Sequence, residues 1–249
     1  MRIIISPAKK MRIDTDSLDY YQLPQFIKDT EVLLVYLKKL SYEKLKSIWN
    51  CSDRIATLNY ERIHKIDLYS NLTPAILSFE GIQYKYMAPG VFEIKEFEYL
   101  EKHLRILSGF YGMLHPFDGV IPYRLEMQAK LGGIGLNSLY EFWNSRLADK
   151  LFSESHCIVN LASKEYSKCI SKYSSKKLRF ITCVFGEMMG KKVVEKGTLA
   201  KMARGEMVRF MAEKQIEDVE DIKSFNRLNY AFADHLSDED TYIFLKNEK

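Results

Sequence analysis

The chain has 249 residues, of which 47% are hydrophobic and 28% are charged, and its formal net charge is +4. This composition is typical of a folded globular protein, and it excludes an intrinsically disordered chain and a histone-like polycation. A near-neutral average still permits a local basic surface, because nucleic-acid binding depends on where the charges lie. No Gly-, Ser- or Pro-rich linker divides the chain, so we predict one integrated domain over residues 1–249.

The predicted elements change in character along the chain. Residues 2–5 are expected to form a buried strand. Apolar periodicity and N-cap signals then predict helices at 25–40, 41–50, 53–66, 74–79, 95–107 and 139–152. Short β-branched or aromatic segments predict strands at 156–161, 178–185, 191–194, 230–233 and 241–245, with a helix at 198–212 among them. This alternation indicates an α/β (mixed α+β) fold with a mixed sheet flanked by helices.

Charge is distributed unevenly over these elements. Residues 164–214 contain 13 Lys or Arg and 5 Asp or Glu, a net charge of +8, whereas residues 215–249 contain 4 and 9, a net charge of −5. The first 163 residues carry the remaining +1. The basic block is therefore the best candidate for an anion-binding surface, and the acidic section either shields that surface or is simply solvated.

Cysteines, histidines and the N-terminus bear on redox state, metals and location. The four cysteines (Cys51, Cys157, Cys169 and Cys183) form no CxxC motif, and the five histidines form no HxxxH pair. We therefore expect reduced thiols, no metal site and no cofactor. The apolar run at 3–5 is too short for a signal peptide, and no run of about 18 apolar residues follows. We expect a cytoplasmic protein that makes no membrane contact.

Two short motifs follow predicted strands. Ser6 and Lys9 come just after the first strand, and Asn160, Ser163 and Lys164 follow the first strand of the second half. Open α/β sheets place ligands at the carboxyl ends of their strands, and the free N–H groups of a strand-to-helix turn favour anions. The alternatives are a solvated loop lysine, an asparagine that anchors the turn and a serine that only caps the helix.

The densest segment is LSGFYGMLHPFDGVIPYRLEM at 107–127, which interleaves glycines and prolines with aromatic residues. A long connection of this kind in a compact domain is often functional. Arg124 and Glu126, two residues apart, would point to the same side of an extended segment and face one pocket. The alternative is an ordered structural loop with a surface ion pair.

The predicted helix at 198–212 carries a possible phosphate-binding face. Lys201, Arg204, Gly205 and Arg209 fall within an arc of about 140° on a helix of 100° per residue. A glycine among cations costs about 1 kcal/mol relative to alanine, which suggests that something packs close to the backbone there. A phosphate backbone would fit, and a solvated cationic face is the alternative.

Residues 49–67 are predicted to form a helix, a short turn and a second helix. Such a hairpin can offer backbone amides to a DNA phosphate. The segment that we take as the turn, residues 55–59, lacks the usual glycine. An ordinary helical corner is therefore the favoured interpretation from spacing alone.

Five motifs, in order along the whole chain, resemble those of the YaaA family of bacterial peroxide-stress resistance proteins. They are ISPAK (5–9), the segment at 107–127, LYEFW (139–143), NLASKEY (160–166) and KMARGEMVRF (201–210). The resemblance implies a role in the hydrogen-peroxide response, an unusual single-domain α/β fold, and DNA binding through a basic cleft and a helix-hairpin-helix element. His115 stands where many relatives carry arginine, which implies a less basic cleft.

Two functional hypotheses follow. The first is a DNA-binding protein of the oxidative stress response with little sequence preference. Its candidate phosphate-binding residues are Ser6, Lys9, Arg124, Asn160, Ser163, Lys164, Lys201, Arg204 and Arg209, and Tyr111, Tyr123 and Tyr166 are candidates for base stacking. The second is an enzyme that acts on a nucleotide or a damaged base, with Glu126 as general base in a pocket with Ser6, Lys9, Arg124 and Asn160. Iron handling is disfavoured as a function, because the sequence contains no clustered set of metal ligands.

Overall fold

The computed structural model describes residues 1–133, 136–175 and 178–247, with the backbone alone at 133 and 136. Within these ranges the α-helices are α1 (Ile27–Lys38), α2 (Tyr42–Trp49), α3 (Asp53–Lys65), α4 (Ala75–Ser78), α5 (Ile82–Met87), α6 (Ile94–His103), α7 (Leu139–Trp143), α8 (Arg146–Glu154), α9 (Lys164–Ser171) and α10 (Gly197–Lys214). Short 3₁₀ helices occupy Pro89–Val91, Val219–Ser224 and Asp234–Leu236. None of the helices in the described ranges is both long enough and apolar enough to cross a membrane.

The strands form one large sheet and three small two-stranded ones. They are β1 (Arg2–Ile5), β2 (Lys10–Met11), β3 (Thr73–Pro74), β4 (Phe79–Glu80), β5 (Leu104–Ser108), β6 (Gly112–Leu114), β7 (Gly119–Val120), β8 (Lys130–Gly133), β9 (Leu136–Ser138), β10 (Cys157–Leu161), β11 (Arg179–Met189), β12 (Lys192–Val194), β13 (Tyr230–Phe232) and β14 (Thr241–Lys246). The large sheet has the order β13-β14-β11-β10-β1-β5-β6, with β12 against β11. The predicted α/β fold with a mixed, helix-flanked sheet is confirmed.

Five strands of this sheet are parallel. They lie in the order β14, β11, β10, β1 and β5, and β13, β12 and β6 pair with them antiparallel. Taken in chain order, the parallel strands occupy the spatial order 2-1-3-4-5. The direction of winding therefore reverses between β1 and β10. In open α/β sheets a crevice forms at such a switch point, outside the carboxyl ends of the two strands.

The strand β1 lies at the centre of the sheet. Ile3, Ile4 and Ile5 are all fully buried and pair with β10 on one side and β5 on the other. A parallel strand covered on both faces needs such a continuous apolar run rather than alternation. The first predicted strand, at residues 2–5, is confirmed with the same bounds.

Two predicted helices are wrong in their extent. The helix predicted at 95–107 ends at His103, and the next five residues form β5, which is buried throughout. An apolar run this short fits either period, and its pairing with β1 and β6 selects the strand. The helix predicted at 139–152 is divided into α7 and α8 at Asn144, whose φ is +47°.

The predicted turn at 55–59 is also wrong, because these residues lie inside α3. The connection between α2 and α3 consists of residues 50–52, and Asn50 there adopts the left-handed conformation with φ +42°. Asparagine is among the few residues other than glycine that tolerate this region. The missing glycine is thus explained by Asn50.

Candidate functional site

A cavity of about 390 Å³ opens beyond the carboxyl ends of β1 and β10, at the point where the winding reverses. Its walls come from segments after these two strands, from the segment before β8, and from α5 and α10. Seven of the residues predicted from the sequence line it: Ser6, Lys9, Arg124, Glu126, Ser163, Lys201 and Arg204. The structure therefore brings together side chains that are almost 200 positions apart in the chain.

Two serines join the ends of the central strands at the floor of the cavity. The backbone N–H of Ser163 donates to Ser6 Oγ at 2.8 Å, and Ser6 Oγ donates to Ser163 Oγ at 3.2 Å. Ser163 occupies the N-cap position of α9, as predicted, but its side chain makes no capping hydrogen bond. Its hydroxyl thus holds β1 to the β10–α9 turn rather than capping the helix.

Arg124 and Glu126 lie on the same side of their extended segment, as their spacing predicts. Arg124 Nη2 is 3.0 Å from Glu126 Oε1, and Lys9 Nζ is 3.3 Å from the same oxygen. The side chains of Arg124 and Glu126 are nearly buried, at 11% and 10% exposed, whereas that of Lys9 is 66% exposed. Among the described residues, Glu126 Oε1 accepts no hydrogen bond of good geometry. Its charge is balanced, but its capacity as an acceptor is unused.

The helix α10 contributes two cations to the lining of the cavity. Lys201 is exposed, and Arg204, whose side chain is only 13% exposed, pairs with Glu195 at 3.0 Å. Within the part of the chain that the structure describes, Arg204 Nε is buried without a hydrogen-bond partner. Arg204 thus keeps unused donor capacity beside the cavity.

The close packing that Gly205 predicts is present, but protein rather than a phosphate backbone supplies it. A Cβ at this position would lie 2.1 Å from the carbonyl oxygen of Gln83 in α5. The glycine therefore permits α5 and α10 to cross in close contact, and the space that we assigned to a phosphate backbone is occupied by protein. That interpretation of Gly205 is wrong.

Three predicted site residues lie outside the cavity lining. Asn160 is buried in β10, where its Oδ1 accepts from Ala162 N and its Nδ2 donates to Thr182 Oγ1, so it anchors the turn after the strand. Lys164 is exposed on α9. Arg209 pairs with Glu213 at 2.7 Å. Arg209 lies about 12 Å beyond Lys201 along the helix axis, because each residue advances the helix by about 1.5 Å.

Two further expectations concern residues near the long central motif. His115 lies outside the cavity lining and contacts Glu101 at 3.0 Å, so its side chain does not contribute to the lining. Tyr111 is completely buried, and its hydroxyl accepts from Ile121 N, which leaves no face for a base. Tyr123 and Tyr166, the other two aromatic candidates, do line the cavity.

The cavity also contains residues that the sequence interpretation missed. The most informative is Glu165, in the first turn of α9, whose carboxylate accepts from Gln128 N. Burial, together with the nearby charge of Glu126, raises the pKa of Glu165 above its ordinary value. Its position two residues after Ser163, a predicted site residue, is the sequence signal that could have placed Glu165 near the cavity. Lys10, Glu80, Gln83 and Tyr84 complete the missed polar lining.

The helical hairpin of α2 and α3 offers a poor site for a phosphate. The first residue of α3 is Asp53, whose carboxylate is 75% exposed and contacts Lys46 at 2.6 Å. A carboxylate at a helix N-terminus occupies the place that an anion would take, and it repels a phosphate. In the described residues no group of three or more His, Cys, Asp or Glu side chains could hold a metal ion.

Comparison with known proteins gives a consistent result. The family model described as "Peroxide stress protein YaaA" matches residues 1–236. A "UPF0246 protein" from Lachnoclostridium phytofermentans is 57% identical over 248 residues, which cover 100% of this chain and 97% of the relative. Proteins with the same name from Agathobacter rectalis and Pediococcus pentosaceus are 56% and 51% identical, over 98% and 100% of this chain and 98% and 99% of their own lengths.

Proposed function

The chain belongs to the peroxide stress protein YaaA family, and we propose that it acts in the oxidative stress response by binding nucleic-acid phosphates at the strand-end cavity. The observation that carries this proposal is the convergence of basic side chains on one concave site. Five cations line the cavity against three carboxylates: Lys9, Lys10, Arg124, Lys201 and Arg204 against Glu80, Glu126 and Glu165. Phosphate groups are the nucleic-acid component that Lys and Arg bind most strongly.

Three of the five cations are exposed and therefore suited to phosphates. Lys9 and Lys10 are 66% and 77% exposed, and Lys201 is exposed on α10. Long flexible ammonium groups can follow a phosphate backbone, and contacts of this type carry no base information. The proposal therefore includes little sequence preference for the phosphate contacts. Because Asp53 disfavours a phosphate at the α2–α3 hairpin, we place the main contacts at the cavity.

The test is the affinity of a fluorescently labelled oligonucleotide for the protein, measured by anisotropy on duplex, gapped and single-stranded DNA. We expect Lys201→Ala/Arg204→Ala to weaken binding about 10- to 100-fold, since each lost phosphate contact removes a released counterion. Arg209→Ala is the matched control, because it removes a cation from the same helix outside the cavity. Equal affinities for the double variant and the wild type would contradict the proposal.

An enzyme acting on a nucleotide or a damaged base is a second candidate. It is favoured by the convergence of Ser6, Lys9, Arg124 and Glu126 in one cavity, although Asn160 lies apart from them. Glu126 would serve as general base in this reading. Incubation with nucleotides and with oligonucleotides containing damaged bases, followed by mass spectrometry, tests it. Turnover that disappears in Glu126→Gln would support the candidate, and unchanged substrates in every reaction would contradict it.

A further inference from the structure

The strand-end cavity has the dimensions of a small-ligand site rather than of a surface groove. Its volume of about 390 Å³ lies within the range of about 300–1,000 Å³ in which proteins bind small molecules. A DNA duplex can place only phosphates at its mouth, because the bases are stacked and paired inside the helix. A single unpaired nucleotide can enter with its base.

The walls of the cavity differ in the groups that they carry. The wall that holds the carboxylates is close to neutral, because Arg124 and Lys9 contact Glu126. Glu126 and Glu165 lie on one side, at the ends of the segments that precede β8 and follow β10. Lys201 and Arg204 lie on α10. A complementary ligand therefore carries an anion at one end and hydrogen-bond donors at the other. A nucleoside monophosphate has this polarity, with its phosphate at one end and the edge of its base at the other.

The two carboxylates need donors rather than more cations. Glu126 Oε1 already contacts Arg124 and Lys9 but, among the described side chains, accepts no hydrogen bond of good geometry. Glu165 lies beside the segment that carries Glu126, because its carboxylate accepts from Gln128 N, and burial together with the charge of Glu126 raises its pKa. Carboxylates accept hydrogen bonds and cannot donate them when ionised. A ligand edge with two adjacent N–H donors would satisfy both carboxylates and relieve their repulsion.

Aromatic side chains complete the site. Tyr84, Tyr123 and Tyr166 all line the cavity and are held by the surrounding core. The Tyr84 hydroxyl donates to Ser6 O at 3.0 Å, which fixes its ring against the floor. Rings held in this way provide a surface on which a planar base can stack.

We infer that the cavity binds a guanine nucleotide, with the base edge between Glu126 and Glu165 and the phosphate toward Lys201 and Arg204. Guanine is the base whose Watson–Crick edge presents two adjacent donors, N1–H and the N2 amine. The nucleotide can be free or an unpaired residue of a nucleic acid, since both present the same chemistry. Where the nucleotide belongs to a nucleic acid, the inference rests on the proposed function. It adds to that function a preference for one base inside the cavity.

Calorimetric titration of the full chain with GMP, IMP, AMP and UMP tests this inference. IMP is the decisive comparison, because it lacks only the N2 amine of guanine. We expect GMP to bind about tenfold more tightly than IMP, the effect of about one hydrogen bond to a charged group. Of Glu126→Gln and Glu165→Gln, the variant that removes the acceptor of the N2 amine should reduce the GMP-to-IMP affinity ratio toward one. The other variant removes the acceptor of N1–H, which both nucleotides carry, and should weaken GMP and IMP alike. Glu98→Gln, an exposed change of the same kind outside the cavity, should leave the ratio unchanged.

Competition distinguishes the two sources and separates this inference from the proposed function. Single-stranded DNA with one unpaired guanine should displace GMP, and the same strand with inosine should do so less well. Oligonucleotide binding without GMP binding or guanine preference would overturn the inference and leave the proposed function standing. Guanine-selective nucleotide binding without any affinity for DNA would overturn the proposed function and support the nucleotide site.

Discussion

Two positions show how the surrounding structure restricts which residue can be present. One faces a neighbouring backbone, and the other holds a buried carboxyl group. Gly205 marks the first case, because the carbonyl of Gln83 occupies the place of a side chain. Asp118 marks the second. It is fully buried, and its carboxylate accepts from His115 N and from Gln22 Nε2. Both positions serve the fold, and neither contacts the cavity.

Gly205→Ala should destabilise the protein by about 3 kcal/mol, since α5 and α10 must separate to admit the methyl group. The melting temperature should fall by about 6–12 °C. Gly197→Ala in the same helix is the control, because a Cβ there has no atom within 4 Å among the described residues. The variant should melt close to the wild type. Equal melting temperatures for both variants would show that the two helices do not cross as closely as the structure indicates.

Asp118 should make stability depend on pH. Burial raises the pKa of Asp118 to about 6, well above the value of about 4 expected in the unfolded chain. The folded protein therefore holds this proton more tightly, and the contribution to stability is lost as pH rises from about 4 to about 6. Asp118→Asn removes this titration. We expect urea denaturation to show the free energy of unfolding of the variant, relative to wild type, increasing by about 2 kcal/mol between pH 4 and pH 7. A difference that stays constant over this range would refute the assignment.

At the residue scale the sequence identified most of the polar side chains that line the cavity. Arg124 and Glu126 could be predicted to face one site because extended segments repeat every two residues. Arg209 could not be excluded, because its angular position on the helix contains no information on distance along the axis. Glu165 was missed because a glutamate in the first turn of a helix is commonly a response to the helix dipole.

The elements that shape the cavity are joined by few but specific contacts. The Ser6–Ser163 pair connects the end of β1 to the β10–α9 turn, where the sheet reverses its winding. The position of α9, and with it Glu165, depends on this connection. The neighbouring cation wall on α10 depends instead on the close crossing with α5 at Gly205.

Ser6→Ala should cost about 1–2 kcal/mol, because it leaves the N–H of Ser163 without its acceptor in a largely buried turn. Ser163→Ala keeps that N–H and its partner, and its hydroxyl caps nothing, so it should cost about 0.5 kcal/mol. Chemical denaturation of the two single variants measures both values. A larger loss for Ser163→Ala than for Ser6→Ala would indicate that the hydroxyl of Ser163 has a capping role after all.

At the element scale, local sequence predicted most of the main helices and strands and failed where distant pairing decides the structure. The strands β1, β10 and β14 could be predicted from their β-branched and aromatic residues. The strand β5 could not, because Leu104–Ser108 continues the apolar pattern of α6, and only pairing with distant strands makes it extended. Tertiary contacts of this kind override local propensity.

The whole molecule gathers its basic site from separate parts of the chain. The block at 164–214 has a net charge of +8, but of its cations only Lys201 and Arg204 line the cavity among the residues described, and Lys176 and Lys177 lie outside the described ranges. Lys9, Lys10 and Arg124 come from the near-neutral first part. The site therefore depends on the strand order, which the sequence alone does not reveal.

The acidic section after residue 214 has a structural role. Glu220 contacts Arg179 and Lys223, and hydrogen bonds from these cations hold the pKa of Glu220 down to about 2. Glu217 contacts Lys102 at 2.7 Å. In the described part of the chain, the lining of the strand-end cavity includes no residue of this section. Glu217 and Glu220 are thus paired with cations of the body of the protein, and the described part of this section does not line the cavity.

The salt dependence of DNA binding is the sharpest test of phosphate binding at the strand-end cavity. For duplex DNA, the logarithm of the association constant falls with the logarithm of salt concentration by about 0.9 for each phosphate neutralised. We predict a steep decline for the wild type and for Arg209→Ala, and a slope smaller by about 1.8 for Lys201→Ala/Arg204→Ala, which removes two cations from the cavity. A slope that is the same in the double variant and the wild type would contradict phosphate binding at this site.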